Sequence, residues 1–234
     1  MRAGALEFAH AMAAFWEEQL GPRLLGFYLI GSLAHGGFNR RYSDIDLALV
    51  AESGLSETSL DRARAHGVTF SPELASKLSL FWSDRRFSAG RFPPLDRVDY
   101  LDHAVALVER EPVRPERPSV DDIRAYLRGA PFAIWAERAA RFATLDRLAA
   151  ADHKPYLRAL LYPARFVYSW STGQIASNED AVAYLDECRP AGLDTGLIAR
   201  ALHCRSRAAD PDDLFGDRNL LPGQVDACRR LITG

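Results

Sequence analysis

The stretch Phe27-Tyr-Leu-Ile-Gly-Ser-Leu-Ala-His-Gly-Gly-Phe-Asn-Arg-Arg-Tyr-Ser-Asp-Ile-Asp-Leu-Ala-Leu-Val50 has two halves that need each other. Leu24 to Ile30 is a short apolar and aromatic run that stops at Gly31-Ser32. Ser43 to Val50 alternates Asp, Ile, Asp, Leu, Ala, Leu, Val after its first residue, and both segments read as strands. In a strand, residues two apart point to the same face. Asp44 and Asp46 therefore project together, with Cα atoms about 6.6 Å apart at a rise of about 3.3 Å per residue, while Ile45, Leu47 and Leu49 point into a core. Two carboxylates on one face suit Mg²⁺, which takes one or two carboxylates together with substrate phosphates and water. On the preceding turn, Gly31 permits close backbone approach and Ser32 offers a hydroxyl and a helix-start amide, both suited to phosphate oxygens. A phosphate held beside a metal clamp is the core of a phosphoryl- or nucleotidyl-transfer site.

Outward from this stretch, Phe8, Met12, Phe15, Trp16 and Leu20 fall near helical spacing, and Gly21-Pro22 stops the helix begun at Leu6. A polar helical stretch at Glu57–His66 precedes a third strand, Leu78–Trp82. Leu95–His103 reads as helical and Ala104–Val108 as an edge strand. From Glu109 to Pro118 the chain reads EREPVRPERP, whose three prolines continue neither a helix nor a central strand. That places the domain boundary at 118, giving domains 1–118 and 119–234. Ser119-Val-Asp-Asp resembles an N-cap, apolar spacing stays helical through most of the remainder, and Pro163 predicts a kink in one of these helices. The expected fold is an α/β domain followed by an all-α one.

The 234 residues carry 29 basic and 31 acidic side chains for a net charge of -2, with 48% hydrophobic content, enough for a substantial core. That balance argues against a dedicated nucleic-acid binder. Lys77 and Lys154 are the only lysines, so phosphate contacts fall mostly to guanidinium groups. Cys188, Cys204 and Cys228 are an odd number without C-x-x-C spacing, which points to a reducing cytoplasm. No apolar run approaches the roughly 20 residues of a bilayer span, and acidic residues interrupt any signal-peptide core near the N-terminus.

Gly31-Ser32, an eleven-residue spacer and Asp44-Ile45-Asp46 resemble the signature of the DNA-polymerase-β-like nucleotidyltransferase superfamily. Arg165-Phe-Val-Tyr168-Ser169-Trp-Ser-Thr172-Gly173-Gln-Ile175-Ala176 is similar to a segment in the helical domain of bacterial streptomycin/spectinomycin adenylyltransferases. The resemblance implies a nucleotidyltransferase domain, a mixed sheet with flanking helices, followed by a helical substrate- or nucleotide-binding domain. It implies transfer of AMP from ATP to a hydroxyl of a small acceptor, with aminoglycosides among the candidates and antibiotic resistance as the associated role. Gly31 and Ser32 would hold ATP phosphates, and Asp44 and Asp46 would ligate Mg²⁺. Arg41 and Ser43 are further candidate nucleotide contacts, solvated loop charge being the competing reading of the Arg40-Arg41 pair. Where the family's third carboxylate would stand, this chain has Lys77, Leu78 and Ser79. Glu73 before that strand and Asp84 after it are the candidate bases. The family's nucleotide-contacting lysine is Asn178 here.

Gly31-x₄-Gly36 mimics a P-loop opening, but Gly37-Phe38 stands where Lys-Ser/Thr is required, which excludes an ordinary P-loop NTPase. His35 reads as a turn or packing residue. Two alternatives accompany AMP transfer to a small molecule: a catalytically weak nucleotide-binding regulator, and nucleotidyl transfer to a protein or RNA.

Overall fold

A computed structural model describes residues 2–233. The chain forms two compact units, one ending at Arg117 and the other beginning at Pro118. The first contains a mixed sheet of order β4-β3-β2-β1-β5. Its strands are β1 (Leu24–Ile30), β2 (Ile45–Ala51), β3 (Leu78–Asp84), β4 (Gly90–Arg91) and β5 (Val105–Glu109). β1 runs antiparallel to both β2 and β5, β2 runs parallel to β3, and β3 is antiparallel to β4. The helices of this unit are α1 (Arg2–Leu20), α2 (Gly31–Ala34), α3 (Glu57–Phe70), α4 (Pro72–Ala75) and α5 (Pro94–His103).

Every residue of β1 is buried, which explains a continuous apolar run in place of alternation. Phe27 and Leu29 join Ile45, Leu47 and Leu49 of β2 in a core beneath Phe8, Met12 and Trp16 of α1. The opposite face is also covered. Tyr28, Ile30, Ala48 and Val50 pack there with Phe81 and Tyr100 of β3 and α5. Only one core face is expected from the alternation of β2, so this second core is a correction. The face carrying Asp46 becomes apolar two residues further along the strand.

Other boundaries also differ from the sequence reading. α1 begins at Arg2, and α3 continues to Phe70. Ser43 and Asp44 precede β2, whose ladder opens where the Ile45 amide donates to Lys77 O at 2.8 Å. β4 has two residues, too few to leave an alternation pattern.

The second unit is helical: α6 (Val120–Arg128), α7 (Ala130–Ala143), α8 (His153–Thr172), α9 (Asn178–Cys188), α10 (Thr195–Ser206), α11 (Asp212–Phe215) and α12 (Leu221–Thr233). No strand occurs among its described residues. α6 opens with a reciprocal capping box between Ser119 and Asp122. α8 packs against α7, α9, α10 and α12, and its buried Tyr156 donates to Leu214 O at 2.9 Å. Pro163 stands inside α8, whose helical span runs unbroken from His153 to Thr172. Among the described residues, no helix is long and apolar enough to cross a membrane.

Trp16 is fully buried in the α1 core, and its indole Nε1–H finds no hydrogen-bond partner among the described residues. Trp16→Ala is expected to lower the unfolding free energy by about 3–5 kcal/mol through cavity formation. Trp16→Phe, which keeps most of the volume and deletes the unpaired donor, should cost far less. Urea unfolding of both variants checks the difference.

Candidate active site

The antiparallel register of β1 with β2 pairs Ile30 with Asp46. The residue after Ile30 is Gly31, so the turn leaving β1 meets the carboxylate on β2 even though fifteen positions separate them in sequence. Gly31 has a φ of +64°, and a Cβ built on it would lie 2.5 Å from Asp46 Oδ2. Both facts demand glycine there. Ser32 follows, half-buried, as the second residue of α2. Asp44 and Asp46 are half-buried on either side of the buried Ile45.

The loop entering β2 is held by its own polar groups. Asn39 Oδ1 accepts from the amides of Arg41 and Tyr42, at 2.9 and 3.2 Å. The buried Ser43 hydroxyl accepts from the Asn39 amide at 2.9 Å. Ser43 Oγ thus braces the loop, while Arg41 is exposed with its guanidinium 5.3 Å from the Tyr42 ring centroid.

Glu73, in α4, is exposed and bound by Arg40 at 3.0 and 2.5 Å and by Lys77 at 3.3 Å. Lys77 Nζ also donates to Arg40 O. Hydrogen bonds from Arg40, then Lys77, pull the Glu73 carboxyl down to about 2, which makes it a weak base. Asp84 is set apart from the other candidates. It pairs in register with Ala51, whereas Asp46 pairs with Ser79, and five residues at about 3.3 Å put roughly 16 Å of strand between those positions. Asp84 accepts from the Ser88 hydroxyl at 2.6 Å and from the Ser88 and Ala89 amides, which lowers its pKa and closes the β3–β4 turn.

Sequence reasoning missed Asp99 of α5. It is buried, accepts from the Gly31 amide at 2.8 Å and contacts His35 Nε2 at 2.7 Å. Nothing local marks it, because its partners lie 68 and 64 residues away. In the helical unit, Arg158 and Arg165 stand one on either side of Tyr162 in sequence, with guanidinium carbons 5.4 and 5.3 Å from its ring centroid. Arg205 of α10 joins this cluster. Burial lowers its pKa, Glu179 and Tyr162 oppose that shift, and Arg165 and Arg158 add to it. The Arg165–Ala176 segment forms the end of α8: Gly173 takes a left-handed φ of +68°, and Arg165 Nε donates to Ala176 O at 2.9 Å. Asn178 opens α9, and its buried Oδ1 lacks a hydrogen-bond partner among the described residues.

Among the described residues, no group of three or more His, Cys, Asp or Glu side chains is arranged to hold a metal. The Asp44–Asp46 donor set instead fits Mg²⁺ bound jointly by one or two carboxylates, substrate phosphates and water. The Gly31 backbone against Asp46 leaves the turn and that carboxylate side by side, as such joint binding requires.

No family model matches the chain, and no curated protein matches its sequence. Among solved structures, it is similar to a spectinomycin adenyltransferase from Enterococcus faecialis, crystallised with ATP and spectinomycin. The match has 12% identity, a TM-score of 0.70, and covers 98% of this chain and 99% of that one. The two proteins share a fold over nearly their whole lengths.

Two outcomes follow from the site geometry. Gly31→Ala should lose about 1–3 kcal/mol of stability from left-handed strain, read by denaturant unfolding, with the Asp46 carbon resonances displaced. The Glu73 side-chain carboxyl should titrate near 2 by NMR and move toward its ordinary value in Arg40→Ala. Because its folded pKa is depressed, the stabilisation it contributes is present above its unfolded value, about 4.3, and is lost as pH falls from there toward 2.

Proposed function

We propose that this protein is a Mg²⁺-dependent nucleotidyltransferase that moves AMP from ATP to a hydroxyl of a small molecule. The observation that carries the reading is the Ile30–Asp46 pairing, which sets the Gly31-Ser32 turn against Asp46 on β2, with Asp44 just before that strand. The fold shared with an adenyltransferase supports it.

In this reading Asp44 and Asp46 would hold the metal together with the triphosphate, and the Ser32 hydroxyl would donate to a phosphate oxygen. Bound Mg²⁺ supplies neutralisation of the charge that grows on the leaving pyrophosphate. The chain's own task is alignment. The acceptor oxygen forms its bond to the α-phosphorus as the bond from that phosphorus to the bridging oxygen breaks, close to in line. Ser43 and Asn39 stiffen the loop that delivers Asp44. Glu73 braces Arg40, and Asp84 closes a remote turn, so neither is assigned the proton transfer proposed for them from sequence.

The acceptor in this reading is a small hydroxylated molecule, and the fold shared with an adenyltransferase crystallised with spectinomycin makes spectinomycin and aminoglycosides the first to be tried. A second reading, nucleotide binding without turnover, is favoured by Ser79, which occupies the β3 position paired with Asp46 and carries no carboxylate.

One assay separates the two. Purified protein with ATP, Mg²⁺ and a panel containing spectinomycin and streptomycin should release pyrophosphate and yield an acceptor heavier by one AMP. Asp46→Asn should reduce the rate by at least about a hundredfold, the order expected when a transition-state charge partner is removed. ATP binding with no product across a broad acceptor panel would establish the second reading.

A further inference from the structure

Asp99 is a carboxylate buried between Val98 and Tyr100, themselves buried on α5. Packing alone would be served better by an apolar side chain, since a buried charge is costly unless it is paired and hydrogen-bonded. Both of its oxygens are engaged, and both reach the same short segment. Oδ2 accepts from the Gly31 amide at 2.8 Å. Oδ1 lies 2.7 Å from His35 Nε2, within hydrogen-bond distance. These two contacts grip α2 at its first residue and just past its last, with Ser32 between them. The His35 ring is itself backed by His103, one turn beyond Asp99 on α5, at a centroid distance of 4.7 Å. On its other side Gly31 abuts Asp46 so closely that no Cβ fits. The Gly31 peptide therefore has one carboxylate taking its N–H and a second filling the space a Cβ would need.

We propose that Asp99 is a positioning residue for nucleotide binding: through Gly31 and His35 it fixes the turn so that Ser32 and the Asp44–Asp46 pair meet the same triphosphate. This rests on the nucleotidyltransferase reading above, and it assigns Asp99 no contact with substrate. Asp99 acts through the position of Ser32, which distinguishes it from a residue that merely stabilises the fold.

The test is calorimetric titration of the full chain with ATP and Mg²⁺. Asp99→Ala should weaken binding at least about tenfold, whereas Asp99→Asn, which keeps an oxygen for the Gly31 amide, should stay within about threefold. In a Ser32→Ala background the same Asp99→Ala change should cost about twofold or less, because coupled residues are not additive. His35→Ala removes one of the two contacts without touching Asp99. It should weaken binding by an intermediate factor with the same dependence on Ser32, so the test survives if Asp99→Ala fails to fold. Full affinity in folded Asp99→Ala, or equal losses with and without Ser32 for whichever variant folds, would overturn this role and leave the nucleotidyltransferase reading intact. A wild-type protein that does not bind ATP with Mg²⁺ would overturn both.

Discussion

The antiparallel pairing of Ile30 with Asp46 is the constraint on which the candidate site depends. A strand pair aligns its residues through backbone hydrogen bonds, and a slip of one position would turn every side chain of β2 to the opposite face. Here the register is enforced from both sides of the sheet. Ile45, Leu47 and Leu49 fill the core under α1, while Ala48 and Val50 fill the one beneath α5. Reversing them would place Asp46 inside an apolar core. The same register carries the chain from Ile30 directly into Gly31 beside Asp46, so the position of the turn is a consequence of strand packing.

Polar side chains then refine what the sheet sets in place. Asp99 reaches the turn from α5, and Ser43 and Asn39 tie the loop that enters β2. Arg40, Glu73 and Lys77 link that loop to the start of β3. Buried members of this set, Asp99 and Ser43, are hydrogen-bonded, as burial of polar groups requires. Exposed ion pairs such as Arg40–Glu73 orient the loop and contribute little to overall stability. The helical unit concentrates its positive charge differently. Arg158 and Arg165 gather around Tyr162, where the aromatic face accepts guanidinium groups that would otherwise repel one another, and both charges add to the burial that lowers the Arg205 pKa.

Legibility in the sequence tracked the range of the interaction involved. The strand Leu24–Ile30, the second strand, read as Ser43–Val50 and formed by Ile45–Ala51, the helix ending at Leu20, and the Ser119 cap are written in patterns of a few residues. The two short helices α2 and α4 and the two-residue strand β4 are below the length at which periodicity shows. Gly31 was legible as a point of close approach, though not which group approaches it. Only nearness along the chain to β3 marks Glu73 and Asp84 as candidate bases. Strand register separates Asp84 from Asp46, and the Arg40 fork commits Glu73 elsewhere.

What the sequence determined by itself was the element types, the α/β-then-helical order and the pair of carboxylates two residues apart, because helix and strand periods, caps and turn residues act locally. Only the tertiary structure decided that Asp46 faces Gly31 and Ser79, that Asp99 holds the turn from 68 residues away, and that the Asp46 face runs on into a second core. Those outcomes are set by sheet register and by the packing of α5 on the sheet. Both join residues distant in the chain through contacts that no local pattern encodes.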